Sequence, residues 1–297
     1  MKHKLFKISL LSFCLFLLGF TSDKGFEKEP SSSLLWKIEG PNKGKISYLF
    51  GTMHLIQKQY YYFPEALEKV IKKSELIATE IDLDELTDNV AAMKALTLKE
   101  GTLFDFFTQE QQDSLYQWAK EKLMMDKIGF RATFSSFKPM VLVQTMTQMQ
   151  LIGKTESYEL RIGELAKKHK LETVGFESLN EQIKIFDDLS KSEQAALVME
   201  GLKNESEMLT SLSSLQAMYQ RQEVDSLYWM IKKEGGIMAE KEEQFLNKRN
   251  QNWIPQIEKI MSTKACFIAV GAGHLAGDQG LIKLLRLKGY KLTPVKI

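Results

Sequence analysis

Two histidines of this 297-residue chain occur in the same local context. His54 ends the tetrapeptide Gly51-Thr52-Met53-His54, and His274 ends Gly271-Ala272-Gly273-His274. Each Gly-x-x-His motif directly follows an apolar segment that is typical of a buried strand. Imidazole nitrogens bind metal ions and transfer protons near neutral pH, and glycine lets a ligand approach the backbone. One histidine beside glycine is more often structural, but the repeated context predicts a functional role for both.

Short apolar or alternating segments predict the strands that carry these motifs. Residues 34–39 and 45–50 flank a turn cluster and predict a β-hairpin. Residues 75–82 predict another strand, and the helix that Pro64 opens before it gives the order of a parallel crossover unit. Residues 265–271 predict the strand before the second motif. Ligands in parallel α/β sheets bind beyond the carboxyl ends of the strands, so we expect both histidines at one edge if these strands are parallel.

The sequence between the two motifs is mostly helical. From about residue 86 to residue 251, apolar residues recur at spacings of three and four. A short strand at residues 172–177 interrupts this pattern, and a helix at 280–288 and a strand at 291–295 follow the second motif. The pattern predicts an α/β (α+β) fold with a central mixed sheet, in which residues 34–297 form one domain with a large helical insertion.

The amino-terminal residues are typical of an export signal. Lysines precede an uncharged apolar run over residues 8–20, which is shorter than the about 20 residues that a membrane-spanning helix requires. We therefore predict a signal peptide over residues 1–22 and a flexible tether over 23–33, with an uncleaved membrane anchor as the alternative. The protein is expected to be exported across the inner membrane and to be periplasmic, secreted or membrane-anchored.

The composition indicates a folded globular protein and argues against nucleic-acid binding. Hydrophobic residues make up 44% of the chain and charged residues 26%. Residues 1–22 contain three lysines and no acids, so their removal changes 40 basic and 38 acidic residues to 37 and 38. A net charge near zero is not typical of a nucleic-acid-binding surface. Cys266 is then the only cysteine, which excludes an internal disulfide.

Two imidazoles and one carboxylate would form a three-ligand set with an open position for water, as in many catalytic metal sites. A bound metal would lower the pKa of this water and supply hydroxide as the nucleophile. Glu80 is the preferred acid because it follows a continuous apolar strand, and Glu177 is second for a similar reason. Either acid could be the ligand while the other acts as general base. A solvated or capping role is expected for the remaining candidate acids, Asp82, Asp84 and Glu159.

These motifs resemble those of the TraB/GumN (TraB/PrgY/Tiki-like) family, which includes pheromone-shutdown proteins and is related to the Tiki metalloproteases that trim Wnt proteins. The resemblance covers nearly all of the chain after the signal. It rests mainly on the two Gly-x-x-His motifs in this order, with Arg-Asn-x-x-Trp between them. The residues that carry it are 36–38, 49–54, 80–82, 175–177, Glu181, Gln182, Arg249, Asn250, Trp253, 270–275, Gly277, Gly280, Leu281, Gly289 and Tyr290.

The family resemblance implies a metal-dependent protease in which His54, Glu80 and His274 hold a divalent ion, such as Zn, Mn or Co. The place of Arg249 in the family motif suggests that it stabilises developing negative charge. We therefore predict an exported metal-dependent hydrolase, with a peptidase that acts on a peptide or protein as the leading candidate. The wider superfamily also resembles erythromycin esterases and haem-binding lipoproteins. Two alternatives stay open: a metal-free Glu/His esterase, and a protein that binds a peptide signal or haem without turnover.

Overall fold

The computed structural model describes residues 32–41, 44–85, 88–151, 155–203 and 205–297. The predicted signal peptide over residues 1–22 lies outside them, as does most of the predicted tether. Ser33, the last residue of that tether, already belongs to the fold, because its hydroxyl donates to the carbonyl of Val295 at 2.7 Å. Among the helices in the described residues, none is both long enough and apolar enough to cross a membrane.

The centre of the fold is a mixed six-stranded sheet. The strands of the described residues are β1 (Leu35–Glu39), β2 (Ser47–Thr52), β3 (Ile56–Gln57), β4 (Leu76–Ile81), β5 (Thr155–Glu156), β6 (Glu172–Glu177), β7 (Cys266–Gly271) and β8 (Lys291–Val295). The sheet has the order β6-β4-β7-β2-β1-β8, and β3 pairs with β5 apart from it. Strands β6, β4, β7 and β2 are parallel, whereas β1 is antiparallel to both β2 and β8. The predicted α/β class with a mixed sheet is confirmed.

Strand β7 lies in the middle of the sheet, between β2 and β4. Ile268 pairs with Leu49 of β2 on one side and with Ala78 of β4 on the other. As predicted, β2 and β4 run in the same direction. The prediction missed, however, that β7, a strand from the end of the chain, lies between them. Residues 266–270 are all buried, which suits a central parallel strand. This strand order brings the two Gly-x-x-His motifs to adjacent positions at one edge.

Helices cover the sheet and form a second layer beyond it. They are α1 (Glu65–Lys73), α2 (Asn89–Leu96), α3 (Gln109–Trp118), α4 (Lys127–Phe134), α5 (Met140–Gln150), α6 (Tyr158–His169), α7 (Leu179–Asp187), α8 (Lys191–Lys203), α9 (Glu205–Gln220), α10 (Val224–Glu234), α11 (Gly236–Glu240), α12 (Lys248–Met261) and α13 (Leu281–Leu287). A π-helical turn, Glu243–Asn247, precedes α12. Strand β6 lies within the predicted helical insertion and nevertheless belongs to the central sheet.

The apolar residues form two main cores. The first surrounds the sheet and includes Phe267 of β7 and Trp253 of α12, together with apolar side chains of α6, α9 and α10. The second lies among helices of the predicted insertion and includes Phe104 and Phe130. Burial of apolar side chains of this size stabilises each core by about 1.5–3 kcal/mol per fully buried residue. Part of the predicted insertion therefore has a core of its own, whereas α9 and α10 pack on the core around the sheet.

Candidate functional site

The carboxyl ends of the four parallel strands bring together all five predicted site residues. Three of them lie at or after strand ends: His54 after β2, Glu177 at the end of β6 and His274 after β7. Glu80 lies inside β4 near its end, and Arg249 lies in the first turn of α12. Contacts join these side chains into one buried cluster.

Gly271 is the point at which three of these side chains meet. A methyl group at its Cα would lie 3.2 Å from Oε1 of Glu80, 3.7 Å from Nε2 of His54 and 3.8 Å from Cδ2 of His274. The amide of Gly271 also donates to Oε1 of Glu80 at 2.6 Å. The first glycine of the second motif therefore leaves open the space between the two imidazoles and the carboxylate, which a larger residue would fill.

His274 is held in one orientation by Asn250. Its Nδ1 lies 2.7 Å from Oδ1 of Asn250, while the amide nitrogen of Asn250 donates to the carbonyls of His274 and Gln279. Nδ1 is therefore the protonated nitrogen of a neutral ring, and Nε2 is an acceptor, which receives a hydrogen bond from Nη1 of Arg249 at 3.1 Å. Burial lowers the pKa of His274 to about 3; Glu80 opposes this shift and Arg249 adds to it.

His54 is held in the same way by a buried acid. Its Nδ1 lies 2.8 Å from Oε1 of Glu159, and the hydroxyl of Ser157 donates to the other carboxylate oxygen at 3.1 Å. Burial alone would raise the pKa of Glu159, but contacts with His54 and Thr52 outweigh it and lower the pKa.

The expectation that Glu159 is solvated is therefore wrong, since the residue is only 6% exposed. Glu159 lies in the first turn of α6, where acids commonly interact with the helix dipole, and nothing in its spacing distinguishes it from such an acid. The capping hydrogen bond from Leu160 N–H to Ser157 fixes the start of this helix and thereby the position of Glu159.

Arg249 joins the two acids that were predicted from the strand ends. Its Nη2 donates to Oε2 of Glu80 at 2.6 Å and also to Glu177, and its Nε donates to both oxygens of Glu177 at 3.1 and 3.2 Å. Its Nη1 also donates to the carbonyl of Phe245 at 3.0 Å. Gln182 donates to the same two acids, at 3.0 Å to Glu80 and 3.1 Å to Glu177.

The two acids of the cluster that contact Arg249 have pKa values shifted in opposite directions. Burial would raise the pKa of Glu80, but Arg249, the histidines and the Gly271 amide outweigh it and lower the pKa. The pKa of Glu177 is raised, because burial outweighs its contacts with Arg249. The contact with Arg249 therefore favours the charged form of Glu80 in spite of its burial.

As they stand, the described His, Cys, Asp and Glu side chains include no group of three or more that could hold a metal ion. Arg249 donates to Nε2 of His274 and to Oε2 of Glu80, two groups that were predicted as ligands. The assignment of His54, Glu80 and His274 to a metal therefore stays a prediction.

His54, Glu80, Arg249 and His274 form the floor of an open cleft, whose empty space is about 880 Å³ when open solvent is included. Apolar side chains of the helical layer form its walls, among them Phe186, Leu215, Leu227, Ile231, Met238 and Leu246. A concave, mainly apolar site with a few convergent polar groups is typical of a binding site for a small molecule or a short peptide segment.

Asp82 and Asp84, the two other candidate acids, lie outside the cluster. They follow β4, where the amide of Asp84 donates to Oδ1 of Asp82 at 2.9 Å. Nζ of Lys167 is 3.9 Å from Asp84 in a contact that is mostly exposed. These contacts agree with the expected capping or solvated role.

Comparison with known proteins places the chain in a family. No curated protein and no solved structure matches it. The family model described as TraB/PrgY/gumN matches residues 34–294. This range includes both Gly-x-x-His motifs and all six strands of the central sheet, apart from Val295 at the end of β8. The resemblance identified from the motifs is confirmed, and the chain belongs to the TraB/PrgY/gumN family.

Proposed function

We propose that this protein is an exported hydrolase that activates a water molecule between His54 and His274 and cleaves a peptide bond. The orientation of the two imidazoles carries this proposal. Glu159 holds Nδ1 of His54 and Asn250 holds Nδ1 of His274, so that both rings approach the open space at Gly271 with their Nε2 sides. An acceptor on the second ring nitrogen typically orients histidines that bind metals or act as bases.

A divalent metal ion fits the chemistry of this donor set. Nε2 of His54, Nε2 of His274 and the carboxylate of Glu80 would hold it, because two imidazoles and one carboxylate face the open space at Gly271. Such an ion, when bound, lowers the pKa of a water molecule towards neutrality. Zn, Mn and Co are the candidates.

The remaining residues of the cluster would position and stabilise the reacting groups. To free Nε2 of His274, Arg249 must give up its contacts with His274 and Glu80, while its Nε contacts hold it at Glu177. The guanidinium would then lie beside the reacting carbonyl and stabilise its developing negative charge. Glu177, whose pKa is raised by burial, is the candidate for holding or transferring a proton.

The test is hydrolysis of a peptide library before and after removal of metal with a chelator, together with elemental analysis of the purified protein. We expect metal removal to abolish hydrolysis and addition of Zn, Mn or Co to restore it. His54→Ala and His274→Ala should lose both metal and activity, whereas the control His169→Ala, at the end of α6, should keep both. Full activity of a metal-free preparation would contradict the metal requirement, and no hydrolysis with any of these metals would contradict the hydrolase.

A metal-free hydrolase is the second candidate, and one observation favours it. Arg249 already satisfies Nε2 of His274 and Oε2 of Glu80, so both groups have a partner without a metal. The pair of His54 and Glu159 would then be the general base that activates water. This candidate predicts hydrolysis that chelators do not affect and that His54→Ala abolishes.

A further inference from the structure

The walls of the cleft differ sharply from its floor. The ionisable residues among its described lining are His54, Glu80, Arg249 and His274, and all four lie on the floor. The walls come from α7, α9, α10, α11 and the turn before α12. Apart from the amide of Gln182, which contacts the acids of the floor, the lining side chains of these elements are aliphatic or aromatic, and none carries a charge. The chemistry of the cleft therefore changes from charged to apolar over a short distance.

The apolar wall begins next to the candidate catalytic histidine. A methyl group on Gly273, the residue before His274, would lie 3.4 Å from Cδ1 of Ile231 and 3.9 Å from Cδ2 of Leu246. Ile231, Leu246 and Met238 are only half-buried, although they are apolar. A contiguous apolar surface that stays open to water in a concave site is typical of a surface that a ligand covers.

We infer that the cleft selects substrates with a bulky, uncharged side chain, such as that of leucine or phenylalanine, directly beside the cleaved bond. This inference rests on the proposed hydrolase. A carbonyl that reaches the floor between the two histidines places its neighbouring side chain against Ile231 and Leu246. A charged side chain would lose its hydration there without gaining a partner, whereas an apolar one covers exposed apolar surface.

The substrate chemistry is thus an acyl compound with an apolar group next to its carbonyl, and both peptides and esters of apolar amino acids have it. The experiment measures kcat/KM of the wild type for matched peptides in which Leu, Ala, Glu or Lys occupies each side of the cleaved bond in turn. A parallel set of leucine and alanine esters distinguishes an esterase from a peptidase. We expect Leu to exceed Ala by about 10- to 200-fold and the charged residues by more.

Substitutions of Ile231 test the preference most directly, because this side chain is partly exposed and its replacement should leave the protein folded. Ile231→Ala should reduce the ratio of Leu to Ala by about 10-fold. Ile231→Glu should lower hydrolysis of the Leu substrate and raise that of the Lys substrate, because it adds a carboxylate to the wall. Ile128→Ala is the matched control, since Ile128 on α4 is 79% exposed and does not line the cleft. Met238→Ala, on the same wall, is measured beside Ile231→Ala, and thermal melting checks that each variant is folded.

The outcomes separate this inference from the function on which it rests. Equal hydrolysis of Leu, Ala, Glu and Lys substrates would overturn the apolar preference and leave the hydrolase intact. An unchanged ratio in both Ile231→Ala and Met238→Ala would show that this wall does not select the substrate. If the wild type hydrolyses none of the peptides or esters, with or without added metal, the hydrolase and the preference are both wrong.

Discussion

The two ends of the parallel strands carry the same types of charged residue in opposite surroundings. At the amino end, Nζ of Lys45 is 2.7 Å from Glu75, and the two side chains are 50% and 47% exposed. At the carboxyl end, Nη2 of Arg249 is 2.6 Å from Glu80, and these side chains are 7% and 6% exposed. The distances are almost equal, so the difference between the two ion pairs lies in the access of water.

Access of water decides what each pair contributes. Water and salt screen the exposed pair, so it adds little to stability. Burial of Glu80 and Arg249 has a large desolvation cost, which only their contacts with each other and with neighbouring polar groups offset. Buried charges of this kind, with shifted pKa values and in a cleft, are concentrated at functional sites. The comparison therefore points to function at the carboxyl end of the sheet and to a structural role at the amino end.

The largest effect is expected from removal of the central cation. Arg249→Met leaves Glu80 and Glu177 buried without their main partner, so we expect the free energy of unfolding to fall by about 3–5 kcal/mol and hydrolysis to be lost. Urea unfolding measures the free energy of unfolding, and a peptide-cleavage assay measures hydrolysis. Arg249→Lys, which keeps the charge but not the paired hydrogen bonds, is the control and should lie between the variant and the wild type.

The same variant also tests the metal site without measuring activity. If His54, His274 and Glu80 bind a divalent ion, added Zn or Mn should restore part of the stability of Arg249→Met, because the ion binds only the folded protein. A stability loss below about 1 kcal/mol would show that the buried cluster does not depend on Arg249, and the contrast between the two sheet ends would fail.

The next effect concerns the acid that orients His54. Glu159→Gln keeps an acceptor near Nδ1 but removes the charge, so we expect kcat/KM to fall by about 10- to 100-fold. Glu164→Gln, also on α6 but with a side chain that is 68% exposed, is the matched control and should leave kcat/KM unchanged. Equal activity of the two variants would mean that Glu159 does not orient the imidazole.

A smaller effect tests whether the amino end of the sheet is closed to solvent. Cys266, the first residue of β7, is fully buried, and burial raises the pKa of its thiol to about 11. The thiol is therefore protonated and shielded at pH 8, and iodoacetamide should modify it slowly in the native protein and rapidly in urea. Mass spectrometry before and after denaturation measures this difference. Rapid modification of the native protein would show that water enters between the strands at this end.

The sequence predicted the parts of the site that depend on local pattern. Apolar segments before Gly51 and Gly271 indicated two strands, and the rule that parallel strands present ligands at their carboxyl ends predicted that His54 and His274 meet. The central place of β7 was not predictable, because consecutive strands are usually neighbours and its pairing joins distant parts of the chain. The contact of Glu159 with His54 is also long-range, and a first-turn acid gives no signal of it.

Arg249 is another residue whose long-range contacts the sequence did not predict. Its place in the Arg-Asn-x-x-Trp motif suggested a functional residue, but not that it would join Glu80 to Glu177. That arrangement depends on where α12 lies against the sheet, and Trp253 of this helix packs in the core around the sheet. Local periodicity specifies which face of a helix is buried, whereas the position of that face depends on tertiary contacts.

The smallest effect is expected at the exposed ion pair. Lys45→Ala should lower the melting temperature by no more than about 2–4 °C and leave hydrolysis unchanged, because the pair is screened and far from the cleft. A hydrogen bond from the amide of Ala265 and contact with Lys45 lower the pKa of Glu75. The charged Glu75 carboxylate therefore stabilises the fold above its ordinary pKa of 4.5, and this stabilisation is lost as the pH falls through its lowered pKa in the folded protein. Melting curves of wild type and variant should converge in acid; a difference that grows there would mean that this end of the sheet contains a buried charge as well.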